Sequence, residues 1–182
     1  MPHDSSQKID RGVAPNQIIV AGDSAGGNIS LGLLSHVMYP HPSIPSLNLS
    51  EDLKGLILLS PWVTFDQTAP AMSQNANKDM LEKSVLKRWS DAFMGGAEDD
   101  NYNTPLMADG DWWKGLPAKE VLILAGRDEL FVSDIEEFVK KLNVSVEKKE
   151  ENGPPVSTPH TRLTCVRTDP QRIQDGCAGS RG

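Results

Sequence analysis

Three short apolar runs, each bounded by turn residues, dominate the hydrophobic pattern of the chain. They span residues 17–21, 53–59 and 121–125. Continuous apolar runs of this length are typical of strands buried inside a parallel sheet. The pattern therefore predicts three central strands.

Helical periodicity follows the first and the third run. After the first run, Ile29, Leu33 and Val37 recur at every fourth position and predict a helix over about residues 26–37. After the third run, Ser133 and Glu136 match a capping box that begins a second helix. A short fourth strand is expected at residues 144–146. This order predicts an α/β fold with helices flanking a mostly parallel sheet.

Two segments differ from this alternation. Residues 66–119 form a polar insert, with helical pattern around 80–93 and turn residues at 98–104, and it is expected to cover one face of the sheet. From residue 151 onward, Gly, Pro, Ser and Thr are scattered without period. The chain is therefore divided into one folded α/β domain, 1–150, and an irregular tail, 151–182, that is disordered or read from a shifted frame.

Charge and composition exclude several classes of function. The net charge of −7 disfavours a nucleic-acid partner, which requires clustered Lys and Arg. Cys165 and Cys177 both lie in the tail and indicate neither a disulfide framework nor a metal site. No apolar run is long enough to cross a bilayer, and no secretion signal opens the chain, so a cytoplasmic location is the default expectation. Oligomeric state is left open.

The motif that carries chemistry is Gly-Asp-Ser-Ala-Gly at residues 22–26. It matches G-x-S-x-G, the sharp strand-to-helix turn that presents a nucleophilic serine, here Ser24. Gly22 and Gly26 are expected to relieve crowding in this turn, and the Ala25 N–H is expected to bind the oxyanion. The alternative is a glycine-rich turn that only packs tightly or binds a phosphate.

An acidic candidate follows the third predicted strand. The apolar run ends at residue 125, Gly126 follows it, and Asp128 is two residues after Gly126. This position predicts that Asp128 lies on the same sheet edge as Ser24. Its expected role is to orient a histidine, and the order Ser then Asp suits a hydrolase triad. The alternative is a helix-capping or solvated carboxylate.

Several ordered motifs together resemble one family. They are residues 22–28, Ser-Pro-Trp at 60–62, Asn-Thr-Pro-Leu-Met-Ala at 103–108, Gly-Leu-Pro at 115–117 and Gly-Arg-Asp-Glu-Leu at 126–130. Over about residues 17–146 the chain resembles hormone-sensitive-lipase-like α/β-hydrolases of the fold-3 type, including fungal steryl acetyl hydrolases. The resemblance implies a carboxylic-ester hydrolase that acts on a small-molecule ester through an acyl-enzyme, without a cofactor.

The chain departs from the family's pattern at both ends. The family's upstream His-Gly-Gly oxyanion motif has no counterpart here, which implies the C-terminal part of the fold and impaired activity. His160 stands near the spacing of the family's catalytic histidine, but its surroundings differ, and the departure begins near Asn152. His3, His36 and His41 are the remaining histidines.

Three further expectations follow from this reading. Without an earlier strand, residues 18–20 would present an apolar open edge and lower solubility. The candidate pocket residues, each with core packing as the alternative role, are Trp62, Met107, Trp112 and Trp113. Two other functions stay open: a non-catalytic remnant that binds hydrophobic ligands or partners, and a prolyl-oligopeptidase-type peptidase, which would not predict the stretches at 103–108 and 115–117.

Overall fold

The computed structural model describes residues 12–150 and 160–166. Its strands are β1 (Ile19–Asp23), β2 (Gly55–Leu59), β3 (Glu120–Gly126) and β4 (His160–Val166). Its helices are α1 (Ala25–Met38), α2 (Ala71–Gln74), α3 (Lys83–Met94) and α4 (Val132–Glu150), with 3-10 turns at Pro15–Gln17 and Pro105–Met107. Within this described part, no helix is both long and apolar enough for a membrane span.

The four strands form one parallel sheet in the order β1-β2-β3-β4. Both helical crossovers, α1 and α4, advance in the same direction along the sheet. Because parallel crossovers are right-handed, this places both helices on one face. The predicted α/β fold, a mostly parallel sheet with flanking helices, is confirmed, and the three apolar runs form β1, β2 and β3.

The core lies between the sheet and these two helices. Leu56 and Leu58 of β2 pair in register with Val121 and Ile123 of β3, and all four are almost fully buried. Helix packing completes this cluster from one side, chiefly through Leu31, Leu34, Ile135, Phe138 and Val139.

The other face of the sheet is far less covered by the described residues. Ile19 on β1 and Leu59 on β2 are 49% and 40% exposed. Strand positions alternate between the two faces, so the same face carries a continuous apolar stripe: Ile19, Ala21, Ile57, Leu59, Leu122 and Leu124. Among the described strands β1 lies at the edge of the sheet, as expected, and no described strand pairs with its outer side.

Three local expectations were wrong. Residues 144–146 continue α4 and form no strand. Ser133 lies inside the first turn of α4, where its hydroxyl accepts a hydrogen bond from Ala71 N at 3.2 Å and so serves the insert. Residues 160–166 form β4, although this segment was expected to be irregular; the remainder of the expected tail lies outside the described residues.

Replacing Ile19 with Lys is predicted to reduce self-association of the chain, because it places a charge on the apolar stripe of an edge strand. Met80→Lys is the control, since Met80 is 94% exposed and lies in the insert. Sedimentation velocity of both variants measures the effect. A monodisperse monomer of the unaltered chain at high concentration, or equal improvement by both variants, would contradict the prediction.

Candidate active site

Ser24 occupies a strained bend between β1 and α1. Its φ of 52° and ψ of −114° fall outside the regions that non-glycine residues favour, and among the described non-glycine residues only Ser60 also has a positive φ. Ser24 N donates to Leu59 O at 2.9 Å, and Ser24 O accepts from Trp62 N at 3.0 Å. These bonds to the neighbouring strand and its following loop hold a backbone conformation that costs of order 1–3 kcal/mol.

The glycines around Ser24 do not all act as expected. A Cβ on Gly22 would lie 2.2 Å from Gly26 O, and a Cβ on Gly27 would lie 2.8 Å from the Pro61 side chain. A Cβ on Gly26, in contrast, meets nothing within 4 Å. Gly22 is therefore required for close packing, as expected. Gly26 is not crowded by the described residues, and the close approach that was expected at Gly26 is found at Gly27 instead.

Ala25 begins the fourteen-residue helix α1 directly after Ser24. The first N–H groups of a helix have no intrahelical acceptor and lie at the positive end of its dipole. Ala25 is also exposed. This arrangement suits the stabilisation of an oxyanion formed at Ser24.

The acidic loop after β3 lies on the same sheet edge as Ser24. Asp128 is found there, as expected, but its side chain is 45% exposed and its Oδ1 lies 3.4 Å from Lys78 Nζ. The next residue, Glu129, turns back toward the sheet, where its Oε1 accepts hydrogen bonds from Ser60 Oγ and Gly126 N, each at 2.8 Å.

The histidines are placed elsewhere. His160 is paired with Glu120 at the amino end of the sheet, six residues before the end of β3. At about 3.3 Å per residue this is roughly 20 Å from the edge that carries Ser24. The structure therefore does not place His160 where a base for Ser24 would have to lie.

Two other histidines have structural contacts. His36 Nε2 lies 3.0 Å from Pro45 O, and His36 Nδ1 accepts from His41 N at 2.9 Å. His36 is eleven residues along α1, about 16 Å from its start at 1.5 Å per residue. His3 lies outside the described residues.

A small apolar pocket opens beside the bend. Its volume is about 190 Å³, and it is lined by Ala25, Asn28, Ile29, Trp62, Phe65, Trp89 and Phe93. Of the four candidate pocket residues, Trp62 alone is in this lining. The other three lie outside it. Met107 is exposed, Trp112 stacks on Tyr39, and Trp113 is buried against Phe138.

Asn28 lines this pocket and is held by two hydrogen bonds. Its side-chain amide donates to Trp62 O at 2.9 Å and to Asn103 O at 2.7 Å. It thus joins α1 to the loop after β2 and to the insert.

A second apolar groove of about 410 Å³ continues along α1 past Leu33 and Tyr102. Burial, and then the charge of Asp100, raise the pKa of Tyr102.

One carboxyl group close to this region has a strongly altered pKa. Burial, then the charges of Asp66 and Glu137, raise the pKa of Asp134 in α4 to about 6. Its Oδ2 is buried and has no hydrogen-bond partner among the described residues. Within the same residues, no group of three or more metal-ligating side chains is found.

A parallel sheet whose first described strand ends in a strained serine bend, followed at once by a helix, defines the α/β-hydrolase class. A family profile described as the alpha/beta hydrolase fold matches residues 4–155. The chain belongs to this family, and the resemblance to its hormone-sensitive-lipase-like members is confirmed.

Two curated relatives are similar to the chain in sequence. An "Esterase" of Acinetobacter venetianus is 28% identical over 137 residues, which is 72% of this chain and 40% of that protein. The "Putative steryl acetyl hydrolase mug81" of Schizosaccharomyces pombe is 28% identical over 136 residues, or 70% and 35%. The chain thus spans less than half the length of these relatives.

The structural neighbours agree on the fold. An esterase of the bacterial hormone-sensitive lipase family superposes with a TM-score of 0.67 at 22% identity, covering 86% of this chain and 45% of the neighbour. A hormone-sensitive lipase from a metagenome library gives a TM-score of 0.63 at 26% identity, covering 84% and 44%.

The close approach at Gly22 predicts that Gly22→Ala destabilises the chain by about 3 kcal/mol, because the backbone must move to admit a methyl group. Gly26→Ala is the matched control and is expected to change stability by no more than about 1 kcal/mol, in the favourable direction, because Ala favours helix. Urea unfolding followed by circular dichroism compares the two. Equal losses would show that the bend is not packed as described.

The raised pKa of Asp134 predicts a stability that falls as pH rises. The folded chain holds this proton more tightly than the unfolded chain, so the favourable contribution is complete below about pH 4 and is lost above pH 6. Asp134→Asn should therefore stabilise the chain by about 1–2 kcal/mol at pH 8 and much less at pH 4.5. Urea unfolding at both pH values, with the exposed Glu136→Gln as control, tests this; an equal gain at both would contradict it.

Proposed function

We propose that the chain carries the nucleophile and one oxyanion donor of a serine-dependent carboxylic-ester hydrolase that acts through an acyl-enzyme. Ser24 Oγ attacks the ester carbonyl, and the Ala25 N–H stabilises the developing oxyanion. Asp128, in the loop after β3, is the proposed acid that orients the base. The observation that carries the proposal is the positive φ of Ser24 at a strand-to-helix bend.

The pocket beside Ala25 supports a small apolar substrate group. At about 190 Å³ it is below the roughly 300–1,000 Å³ of drug-sized sites, and slightly larger than the roughly 150 Å³ cavity that binds benzene in another protein. Aromatic walls and the scarcity of charge around it disfavour charged substrates. A short acyl group fits this volume, which agrees with the acetyl ester in the name of the fission yeast relative.

Turnover by this chain is proposed to be slow. Of the histidines that the structure places, none lies at the Ser24 edge, and general-base catalysis contributes about a hundred- to ten-thousandfold in rate. The same observation favours a second candidate function, a non-catalytic member of the family that binds hydrophobic ligands in the pocket. Reactivity of Ser24 separates the two.

A fluorophosphonate probe tests the proposal directly. The probe is expected to label Ser24, located by peptide mass spectrometry, and Ser24→Ala should lower both labelling and 4-nitrophenyl acetate hydrolysis by at least about tenfold. Ser73→Ala, at an exposed serine of α2, is the control and should change neither. A folded chain that remains unlabelled at Ser24 would favour the non-catalytic function.

A further inference from the structure

We propose that Phe93 sets the length of the acyl group that the chain accepts, because its ring separates the small pocket beside Ala25 from the apolar groove along α1. This inference rests on the proposed function and names the residue that limits the substrate. With the ring in place, the pocket takes a short acyl group. Without the ring, the pocket and the groove would join into one channel that takes a long aliphatic chain.

The pocket and the groove share part of their walls. Asn28, Ile29 and Phe93 line both cavities. The first two belong to α1, and Asn28 is fixed there by its hydrogen bonds to Trp62 O and Asn103 O. Phe93 belongs to the last turn of α3, in the insert. Of the shared lining, Phe93 is therefore the part that the insert contributes.

The position of Phe93 follows from the packing of α3. Leu86 and Ser90, one turn apart, are the buried side chains of this helix. Trp89 and Phe93 have the same four-residue spacing on an adjoining side and line the pocket. The Phe93 ring lies 5.7 Å from the ring of Phe65, which is within the range of aromatic pairs. Phe93 is nevertheless 54% exposed, so its truncation removes little from the core.

The two cavities differ in what they can hold. The pocket has a volume of about 190 Å³ and the groove about 410 Å³. Small-molecule sites occupy roughly 300–1,000 Å³, and only the groove reaches that range. Its lining on α1 extends from Asn28 to His36, about 12 Å at 1.5 Å per residue. A chain attached at Ser24 could follow this side of the helix only if the pocket opened into the groove.

The groove offers an apolar surface to such a chain. Ile29 and Leu33 in its lining are exposed apolar side chains. Two of its polar side chains are engaged within the protein: Asp100 Oδ1 accepts a hydrogen bond from Tyr102 N, and Tyr102 Oη donates to Tyr39 O, each at 2.8 Å. Grouped exposed apolar side chains are a feature of ligand-binding grooves. An aliphatic chain suits this surface better than a polar group does.

The test uses the full chain and two fluorophosphonates that differ only in the alkyl group on phosphorus, ethyl or decyl. The measured quantity is the ratio of the decyl to the ethyl rate constant for labelling of Ser24, followed by peptide mass spectrometry. The unaltered chain should label at least about tenfold more slowly with the decyl probe. Phe93→Ala should raise the ratio by at least about tenfold, because the chain then enters the groove.

Two further variants show whether the groove receives the chain. Leu33→Trp fills the groove from α1, outside the lining of the pocket, so adding it to Phe93→Ala should return the ratio to within about threefold of the unaltered value. Leu33→Trp alone should leave the ratio unchanged. Trp89→Ala is the matched control on α3, since Trp89 lines the pocket but not the groove, and its effect on the ratio should stay within about threefold.

Circular dichroism checks that each variant is folded. Should Phe93→Ala not fold, Phe93→Leu replaces it and should raise the ratio in the same direction by a smaller factor.

The outcomes separate this inference from the proposed function. Phe93 is not the partition if Ser24 of the unaltered chain is labelled equally fast by both probes, or if Phe93→Ala leaves the ratio unchanged. The same conclusion follows if Trp89→Ala raises the ratio as much, or if Leu33→Trp does not reverse the gain. If neither probe labels Ser24 in any folded variant, the proposed function itself fails.

Discussion

The bend at Ser24 depends on contacts that leave no room for ordinary side chains. Gly22 passes within contact distance of the Gly26 carbonyl, and Gly27 lies against Pro61. These approaches, together with the hydrogen bonds from Ser24 to Leu59 and Trp62, hold a serine at a φ of 52°. The fold tolerates this strain because it is confined to one residue, which lies between a regular strand and a regular helix.

Everything else at the site is arranged around that bend. Because the strands are parallel, the residues that follow β1, β2 and β3 collect at one edge, which carries Ser24 and the hydrogen-bonded pair Ser60 and Glu129. The insert then adds precision, since Asn75 and Asp79 hold the acidic loop and Asn28 joins α1 to the loop after β2. The resulting edge holds Ser24, the first N–H groups of α1, an apolar pocket, and the carboxylates of Asp128 and Glu129.

The sequence predicted the parts of the fold that follow from local pattern. Apolar runs and helical spacing placed β1, β2, β3 and α1 to within a few residues, because periodicity directly reflects burial. The boundary errors have physical reasons: Val144 and Val146 favour strand, yet α4 continues through them. The residues of the pocket were harder to predict, because Trp112 and Trp113 are alike in sequence and differ only in which neighbours fold against them.

Side-chain direction at the site was likewise beyond local pattern. Asp128 and Glu129 are adjacent and both carry a carboxyl group, and only the contacts from Ser60, Gly126 and Lys78 distinguish them. The position of His160 depends on strand register, which places it at the amino end of β4. Both distinctions arise from tertiary pairing between segments that are far apart in the chain.

The most direct test of the account is a crystal structure of the chain after reaction with a small phosphonate. The account predicts phosphorus bonded to Ser24 Oγ, a positive φ at Ser24, and a phosphonyl oxygen within hydrogen-bond distance of Ala25 N. An unmodified Ser24 in relaxed helical or extended backbone, or one turned away from the start of α1, would contradict it.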